Sequence, residues 1–507
     1  MSEYKAPTRE MKFVLNDVIN FSELTELEQY QDISDDIVDA VLEEGGKFCS
    51  EVLSPLNWVG DQEGAVWSEE GVKTATGFKE AYASFVENGW NSVSSNPEFG
   101  GQGLPAVFGS VIMEMMGAAN TSFCLCPMLS VGAVEALDAH GTEEQKNTYL
   151  EKLITGEWTG TMNLTEPQAG SDVGALRSKA EPVGDGSYKI SGQKIFITWG
   201  EHDCADNIIH LVLARLPDAP KGTKGISLFI VPKFMVNEDG SLGERNDVRC
   251  VSIEHKLGIM ASPTCVMSFG DNGNCIGYLV GEENKGMSHM FTMMNSARLN
   301  VGMLGIANAE RAYQMGLEYA KDRVQFTEII NHADVRRMLM TIRASTDAAR
   351  AITYLNAKAL DLGENHPDAE VRRKQAALAE LLTPMSKAYS TDLGVENSST
   401  SLQIHGGMGF VEETGIAQIF RDSRIHPIYE GTNGIQAMDL IGRKLAMHGG
   451  EHWKALLSEI SGFVDGLSDN EEFSSIRSHL SDASAATSEA AEWLLAQHAG
   501  NMRNAAA

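Results

Sequence analysis

The chain has 507 residues, 43% of them hydrophobic and 22% charged, which is enough for two to four globular domains. Its formal net charge of −30 argues against nucleic acid and anionic membrane as general partners, because phosphates are repelled, yet an anionic ligand can still enter a locally basic pocket. No apolar run approaches about 18 residues, no apolar signal core follows the start, and the seven scattered cysteines, with Cys124 and Cys126 as the one close pair, imply reduced thiols in a cytoplasmic protein and no metal site.

Residues 1–156 read as an N-terminal helical domain. "DISDDIVDAVLEEGGKFCSEVL" has apolar residues at helical spacing, with Asp32 or Ser34 as N-cap. "PAVFGSVIMEMMGAANTSFCLCPMLSVGAVEALDAHG" is apolar nearly all round and predicts buried helices. "TEEQKNTYLEKLITGE" opens as a helix capped by Thr142, with Glu144 two residues on.

Between 157 and 280 the period changes. "SYKISGQKIFITWG", "NIIHLVLARL", "GISLFIVPKFMV" and "CVMSFGD" are short, rich in Ile, Val, Phe and Thr, and separated by turn residues, which predicts a central β domain, barrel or sandwich. Helices return over 281–450, where Val335, Met338, Leu339 and Ile342 share one face and the many methionines read as core filler. A Ser/Ala-rich helical segment, 451–507, ends in "AGNMRNAAA" with no closing signal, like a further helical unit cut short. The Gly-rich "EFGGQGLP" and "HGGMGF" sit outside any strand–turn–helix context, so a dinucleotide-binding βαβ reading fails.

In "RIHPIYEGTNGIQ" a single acid, Glu430, lies between Tyr429 and Gly431 on a turn-like run. A turn carboxylate can simply pair with Arg421 or Arg424. Seven stretches place it in another context: "NPEFGGQGLP" (96–105), "NLTEPQAGSDVGAL" (163–176), "GQKIFITWG" (192–200), "VGEENKGM" (280–287), "YAKDRVQF" (319–326), "QIHGGMGF" (403–410) and "RDSRIHPIYEGTNGIQ" (421–436). In their order and spacing they resemble the acyl-CoA dehydrogenase family, and the long chain resembles its large bacterial branch.

The resemblance implies an α+β fold: an N-terminal α-helical domain, a central β-barrel, a C-terminal four-helix bundle and extra C-terminal helices. It implies FAD between barrel and bundle, its adenosine end completed by a neighbouring subunit in a homodimer or homotetramer. It also implies electron-transfer flavoprotein as acceptor. The reaction takes an α-proton and a β-hydride from an acyl-CoA thioester. Within the large bacterial branch "GGKFCSEVLSPLN", "KLGIMASPTCVM" and "VRRMLMTIRA" resemble members that act on 3-(methylthio)propanoyl-CoA, ahead of those that act on a straight-chain fatty acyl-CoA. A Met-rich lining from "VIMEMMGAANTSF" would suit such a thioether. An acyl-CoA oxidase is a further alternative. A nitroalkane-oxidase-like relative would carry Asp in place of Glu430, and a DNA-associated relative would carry a basic surface.

By the same resemblance Glu430 is the base, with Tyr429 and Gly431 beside the substrate. Relatives that carry the base on an earlier helix have it where this chain has Ala297, which cannot accept a proton. Arg298 matches an arginine near the acyl-CoA site, and Ser171 a contact to CoA. Met162, Leu164 and Thr165 match the strand edge against the flavin, Phe196 the aromatic on the ring, and Thr198 the threonine that reaches flavin N5. Arg323 and Phe326 match residues that reach the partner's FAD, although Thr327 replaces the usual glycine. Gln403, Gly406 and Gly407 match contacts to the adenosine half. Thr432 matches one more FAD contact, whereas Gly434 departs from the usual Gln or Glu.

Overall fold

The apolar run of residues 105–141 divides at Asn120, whose side-chain oxygen accepts a hydrogen bond from Phe123 N (3.1 Å) and so starts a new helix. In the computed structural model, which describes residues 3–467 and 471–498, the N-terminal region is mostly helical. Its main helices are α1 (Asp35–Phe48), α2 (Ala106–Ala119), α3 (Thr121–His140) and α4 (Glu143–Thr155). Ser34, not Asp32, occupies the N-cap of α1, without a side-chain hydrogen bond. Thr142 caps α4 in a capping box whose partner is Gln145, three residues on, rather than Glu144. Among the described residues α3 is the one helix long and apolar enough, by length and composition, to cross a membrane. Its Phe123, Leu125, Met128 and Leu137 are buried in the protein core, which accounts for its all-round apolar character.

Eight strands of one sheet follow: β1 (Trp158–Asn163), β2 (Lys179–Pro182), β3 (Ser187–Thr198), β4 (Asn207–Ala214), β5 (Ser227–Pro232), β6 (Val248–Ile253), β7 (Thr264–Phe269) and β8 (Ile276–Val280). They form a curled sheet in the order β6-β7-β3-β8-β5-β4-β1, with β2 beside β3. Every residue of β4 and β5 is buried, so these strands are covered on both faces. Strand β1 runs parallel to β4, with Met162 opposite Leu211, and ends the sheet.

The C-terminal helices are α5 (Gly286–Asp322), α6 (Ala333–Asn365), α7 (Ala369–Ile404), α8 (Ile416–Ser423) and α9 (Asn433–Asp439). The expected four-helix bundle is therefore three long helices with the shorter α8 packed on α5 and α7. Helices α5 and α7 approach closely at Gly305 and Gly394. A Cβ on Gly305 would lie 2.3 Å from Ser390 O, so only glycine fits there. Met338, Leu339 and Ile342 are buried as their spacing predicts. Fully buried Arg350 on α6 binds Glu114 of α2 (2.7 Å) and Glu310 of α5 (2.9 Å), so the charges inside this junction are paired. Two more helices, α10 (Glu451–Gly466) and α11 (Glu471–His498), make up the tail. The closing "AGNMRNAAA" lies outside the described residues.

Candidate active site

Glu430 sits where the chain leaves α8 and turns into α9. Its φ is +54°, and Gly431 follows at +84°. Two successive residues in the left-handed region make a tight bend, which a non-glycine residue adopts at a cost of about 1–3 kcal/mol. A Cβ at 431 would lie 2.7 Å from the Gln436 amide, so the second position takes glycine. The bend is held from several sides. Gln436 Nε2 donates to Glu430 O (3.3 Å) and Gly431 O (3.2 Å), and Asn433 N donates to Pro427 O (3.0 Å). Lys387 Nζ, from the middle of α7, donates to Gly431 O and to Asn433 Oδ1, both at 2.9 Å. The Thr432 hydroxyl accepts from Ile435 N (3.2 Å) and caps α9.

While its backbone is fastened, the Glu430 carboxylate has no hydrogen bond or ion pair among the described residues. Burial pushes its pKa up to about 7, against the pull of Arg298 and Lys387. Neither arginine of its own segment neutralises it: Arg421 is taken by Asp61 (2.6 Å) and Glu412 (2.9 Å), and Arg424 is exposed. Arg298 reaches the site from α5, 3.5 Å from Asp439 and beside the ring of Phe291, with its Nε buried and unpaired among the described residues. Ala297, next to it, is buried. The Tyr429 ring stacks on His426 at 5.7 Å, and its hydroxyl is buried without a partner. Burial, and then Glu430, raise the Tyr429 pKa well above its usual value, so the phenol keeps its proton.

A second group of predicted residues gathers on the sheet. Thr165 O accepts from Ile195 N (2.9 Å), which fastens the end of β1's extension to β3 just before Phe196 and Thr198. Gly160 N donates to Ser130 Oγ (3.0 Å), on the side of β1 away from β4. The backbone of Met162, two residues further along the pleat, faces the same unpaired edge. The Thr165 and Thr198 hydroxyls are half-buried and make no hydrogen bond among the described residues. Phe196 has φ +60° and is 57% exposed, an apolar ring held outward in a strained conformation. Free backbone groups, two free hydroxyls and an outward ring fit the edge and face of a flat heteroaromatic ligand such as a flavin. Beneath them Lys194 Nζ donates to Leu164 O (3.0 Å) and to Glu166 (2.8 Å).

The third group lies elsewhere. Arg323 ends α5, some 25 residues past Arg298, or about 37 Å along the helix. Phe326 is fully exposed in the loop beyond it, and Gln403, Gly406 and Gly407 are exposed at the end of α7. Tyr319 and His405 stack at 4.4 Å and join these two helix ends. Along α5 this cluster is therefore far from Arg298 and the bend it serves. Ser171 is exposed on the loop after β1.

Sequence reasoning missed Lys387, Lys194 and Asp439. Lys387 carried a legible signal. Ser386, Lys387, Ser390, Thr391 and Gly394 are small or polar residues on one face of α7, and all are buried. A lysine within such a stripe faces a neighbouring helix and needs a polar partner there.

Family profiles match along the chain in order: "Acyl-CoA dehydrogenase, N-terminal domain" over residues 43–157, "middle domain" over 161–272 and "C-terminal domain" over 284–446. The 3-methylmercaptopropionyl-CoA dehydrogenase of Ruegeria pomeroyi is 51% identical over 457 residues, covering 88% of this chain and 77% of that protein. A butyryl-CoA dehydrogenase of Syntrophomonas wolfei is 40% identical over 481 residues, 91% of this chain and 79% of that protein. Among solved structures, butyryl-CoA dehydrogenase from Megasphaera elsdenii superposes with a TM-score of 0.68 at 26% identity, covering 82% of this chain and 99% of that one.

Proposed function

Because this chain belongs to the acyl-CoA dehydrogenase family and is an acyl-CoA dehydrogenase, we propose that Glu430 is its catalytic base and 3-(methylthio)propanoyl-CoA its substrate. The observation that carries the first part is a half-buried carboxylate on a braced bend, left without a partner among the described residues, with a pKa near 7. A general base works best when its pKa lies near the working pH and its carboxylate is free to take a proton. The second part rests on the 51% identity to the Ruegeria enzyme over most of both chains.

An α-proton of a thioester is only weakly acidic, so its removal needs a dry base and a donor for the charge that develops on the thioester oxygen. The Glu430 carboxylate accepts the proton, and its backbone N–H, on the same bend, is positioned as that donor. Arg298, with its unpaired Nε, holds negative charge beside the acyl-CoA. Tyr429 and Gly431 flank the base without competing for the proton. FAD, when bound, supplies the acceptor for the β-hydride. Met162 and Leu164 backbone groups with the Thr165 and Thr198 hydroxyls would hold its ring edge, and Phe196 its face. Arg323, Phe326, Gln403, Gly406 and Gly407 would take the adenosine half of a partner subunit's FAD in a homodimer or homotetramer, which fits their distance from Arg298 and their exposure. Thr432 is the remaining FAD contact, and Ser171 contacts CoA. The enzyme passes its electrons to an electron-transfer flavoprotein in the cytoplasm, a setting that agrees with seven unpaired thiols. Domain limits at 156/157, 280/281 and 450/451 belong to the same proposal, and the breaks between the family profiles near the first two support it.

A straight-chain substrate is the second reading, favoured by the similarity to the butyryl-CoA dehydrogenase of Syntrophomonas. Anaerobic mixing of the holoenzyme with 3-(methylthio)propanoyl-CoA and butyryl-CoA separates the two. Faster flavin bleaching by the thioether is expected, and faster bleaching by butyryl-CoA overturns that substrate. Unchanged bleaching in Glu430→Gln overturns the base. Rapid reoxidation by air after bleaching would identify an oxidase.

A further inference from the structure

We infer that Lys387 is a positioning residue for the base: its ammonium ties down the bend that carries Glu430 and sets the pH at which that carboxylate becomes free to act. The inference rests on the reading of Glu430 as base and adds a residue that neither the sequence motifs nor the bend itself supply.

Lys387 is fully buried in the middle of α7, 43 positions before the bend in sequence. A lysine in such a place is costly unless its three donors are used. Two of them go to the bend, to Gly431 O and Asn433 Oδ1, both at 2.9 Å. Asn433 is itself fixed to α7, since its amide nitrogen donates to Ala388 O (3.2 Å), Thr391 Oγ1 (3.0 Å) and Asp392 Oδ1 (2.8 Å). The ammonium thus grips the carbonyl directly after the two left-handed residues. Released from it, Glu430 can relax out of its strained φ, and both its carboxylate and its N–H then leave their places.

The same ammonium is one of two cations that act on Glu430. Besides Lys387, the charged group acting on the carboxylate is Arg298 on α5, which lies on Asp439 of α9 together with Arg443. Tyr429, next to Glu430 in sequence, is faced by the neutral imidazole of His426 and by the Cys124 thiol of α3. Asp392, on α7 with Lys387, pulls on the ammonium as Glu430 does, against burial, which pushes Lys387 down to about 8. Asp439 is shared between Arg298 (3.5 Å) and Arg443 (2.8 Å), and no carboxylate among the described residues is ion-paired to Lys387. Removing a cation beside a carboxylate disfavours its charged form, so the Glu430 pKa must rise when Lys387 is replaced by an apolar side chain.

The test uses the holoenzyme and whichever of 3-(methylthio)propanoyl-CoA and butyryl-CoA bleaches the flavin faster. Lys387→Met is expected to retain flavin. Its acid limb in the pH profile of flavin reduction should move upward by about one unit, and its plateau rate should fall by about ten-fold. Lys387→Arg, which keeps the charge, should hold the limb at the wild-type pH. Asn433→Ala removes one acceptor of the ammonium and keeps the cation, so its plateau should fall with no movement of the limb. If Lys387→Met does not fold, Lys387→Arg and Asn433→Ala carry the test. A wild-type limb and plateau in Lys387→Met overturn the inference, as does a lower plateau with an unmoved limb, which is a brace only. A wild-type plateau in Asn433→Ala also overturns it. Failure of the underlying reading looks different: there Glu430→Gln itself would still bleach.

Discussion

Glu166 is a buried carboxylate and Glu430 a half-buried one, and the protein treats them in opposite ways. Burial would raise the pKa of Glu166, but Lys194, the Ser178 hydroxyl and the Arg177 N–H bring it down to about 2. Its Oε1 accepts from Lys194 (2.8 Å) and Ser178 Oγ (2.6 Å), and its Oε2 from Arg177 N (2.7 Å). Glu430 has two cations nearby but no donor on its oxygens among the described residues, and burial keeps it near 7. The first is a permanent charge that organises the strand edge at Leu164. The second is a group that can change its charge within the working range of pH. The difference lies in where the donors go: around Glu166 they bind the carboxylate, and around Glu430 they bind the backbone of the bend.

The largest expected effect comes from removing the unpaired acid. Glu430→Gln should lose flavin bleaching by a factor on the order of 10³, measured by anaerobic stopped-flow absorbance, while acyl-CoA binding persists. Its stability should shift in a direction that depends on pH. The folded-state pKa of Glu430 lies above its unfolded value, so the wild type binds a proton more readily when folded, and the group costs stability as pH rises from 4.5 through 7. Glu430→Gln should therefore melt higher than wild type at pH 8 by about 1–2 °C, and the gap should close at pH 5. A gap of the same size at both pH values would show that packing, not charge, accounts for it.

Breaking the paired acid should cost stability instead. Lys194→Met leaves the Glu166 charge buried without its cation and frees Leu164 O, for an expected loss of about 3–5 kcal/mol in urea melts, with loss of bound flavin. The sign runs opposite to that of Glu430. The Glu166 pKa is depressed when folded, so its contribution is present above the unfolded value of 4.5 and is lost as pH falls toward 2. In Lys194→Met the cation that holds Glu166 down is gone and burial favours its neutral acid, so the penalty should be largest near pH 7 and shrink as pH falls toward 5; an equal penalty at both would mean that Glu166 is not the charge involved.

The two acids also differ in how far sequence reveals them. Glu430 stood out because a lone acid in a Gly-Thr-Asn-Gly turn is unusual and the surrounding motifs gave it a role. The helix–sheet–helix order was equally legible, since the hydrophobic period changes near 157 and 280 and the strands carry turn residues between them. The Lys194–Glu166 pair was not, because it spans 28 positions and joins the segment after β1 to β3, a contact no local pattern gives. Lys387 was hidden by a larger separation still. The Thr142 cap was legible, but its partner was misread by one position because Glu144 and Gln145 are adjacent and only the second falls three residues on. The length of α3 escaped because its apolar character is broken by Ser, Thr and Gly, which a run-length criterion rejects and a buried helix tolerates.

Arg298→Gln comes next in size. It removes the other cation acting on Glu430, so the acid limb of flavin reduction should rise by about one unit, and KM for acyl-CoA should increase because the unpaired Nε is lost. A raised KM with an unmoved limb would leave Lys387 as the cation that tunes the base.

The smallest effects come from two threonines that repeat the contrast without charge. Thr432 uses its hydroxyl inside the chain, accepting from Ile435 N at 3.2 Å, whereas the Thr198 hydroxyl has no partner among the described residues. Thr432→Val should therefore cost about 1 kcal/mol of stability even in flavin-free protein. Thr198→Val should leave the flavin-free protein within about 0.5 kcal/mol of wild type and slow flavin reduction by up to about ten-fold, the worth of one neutral hydrogen bond. If Thr198→Val instead destabilises the flavin-free protein as much as Thr432→Val does, its hydroxyl serves the sheet. The free groups along β1 and β3 would then no longer mark a ligand edge.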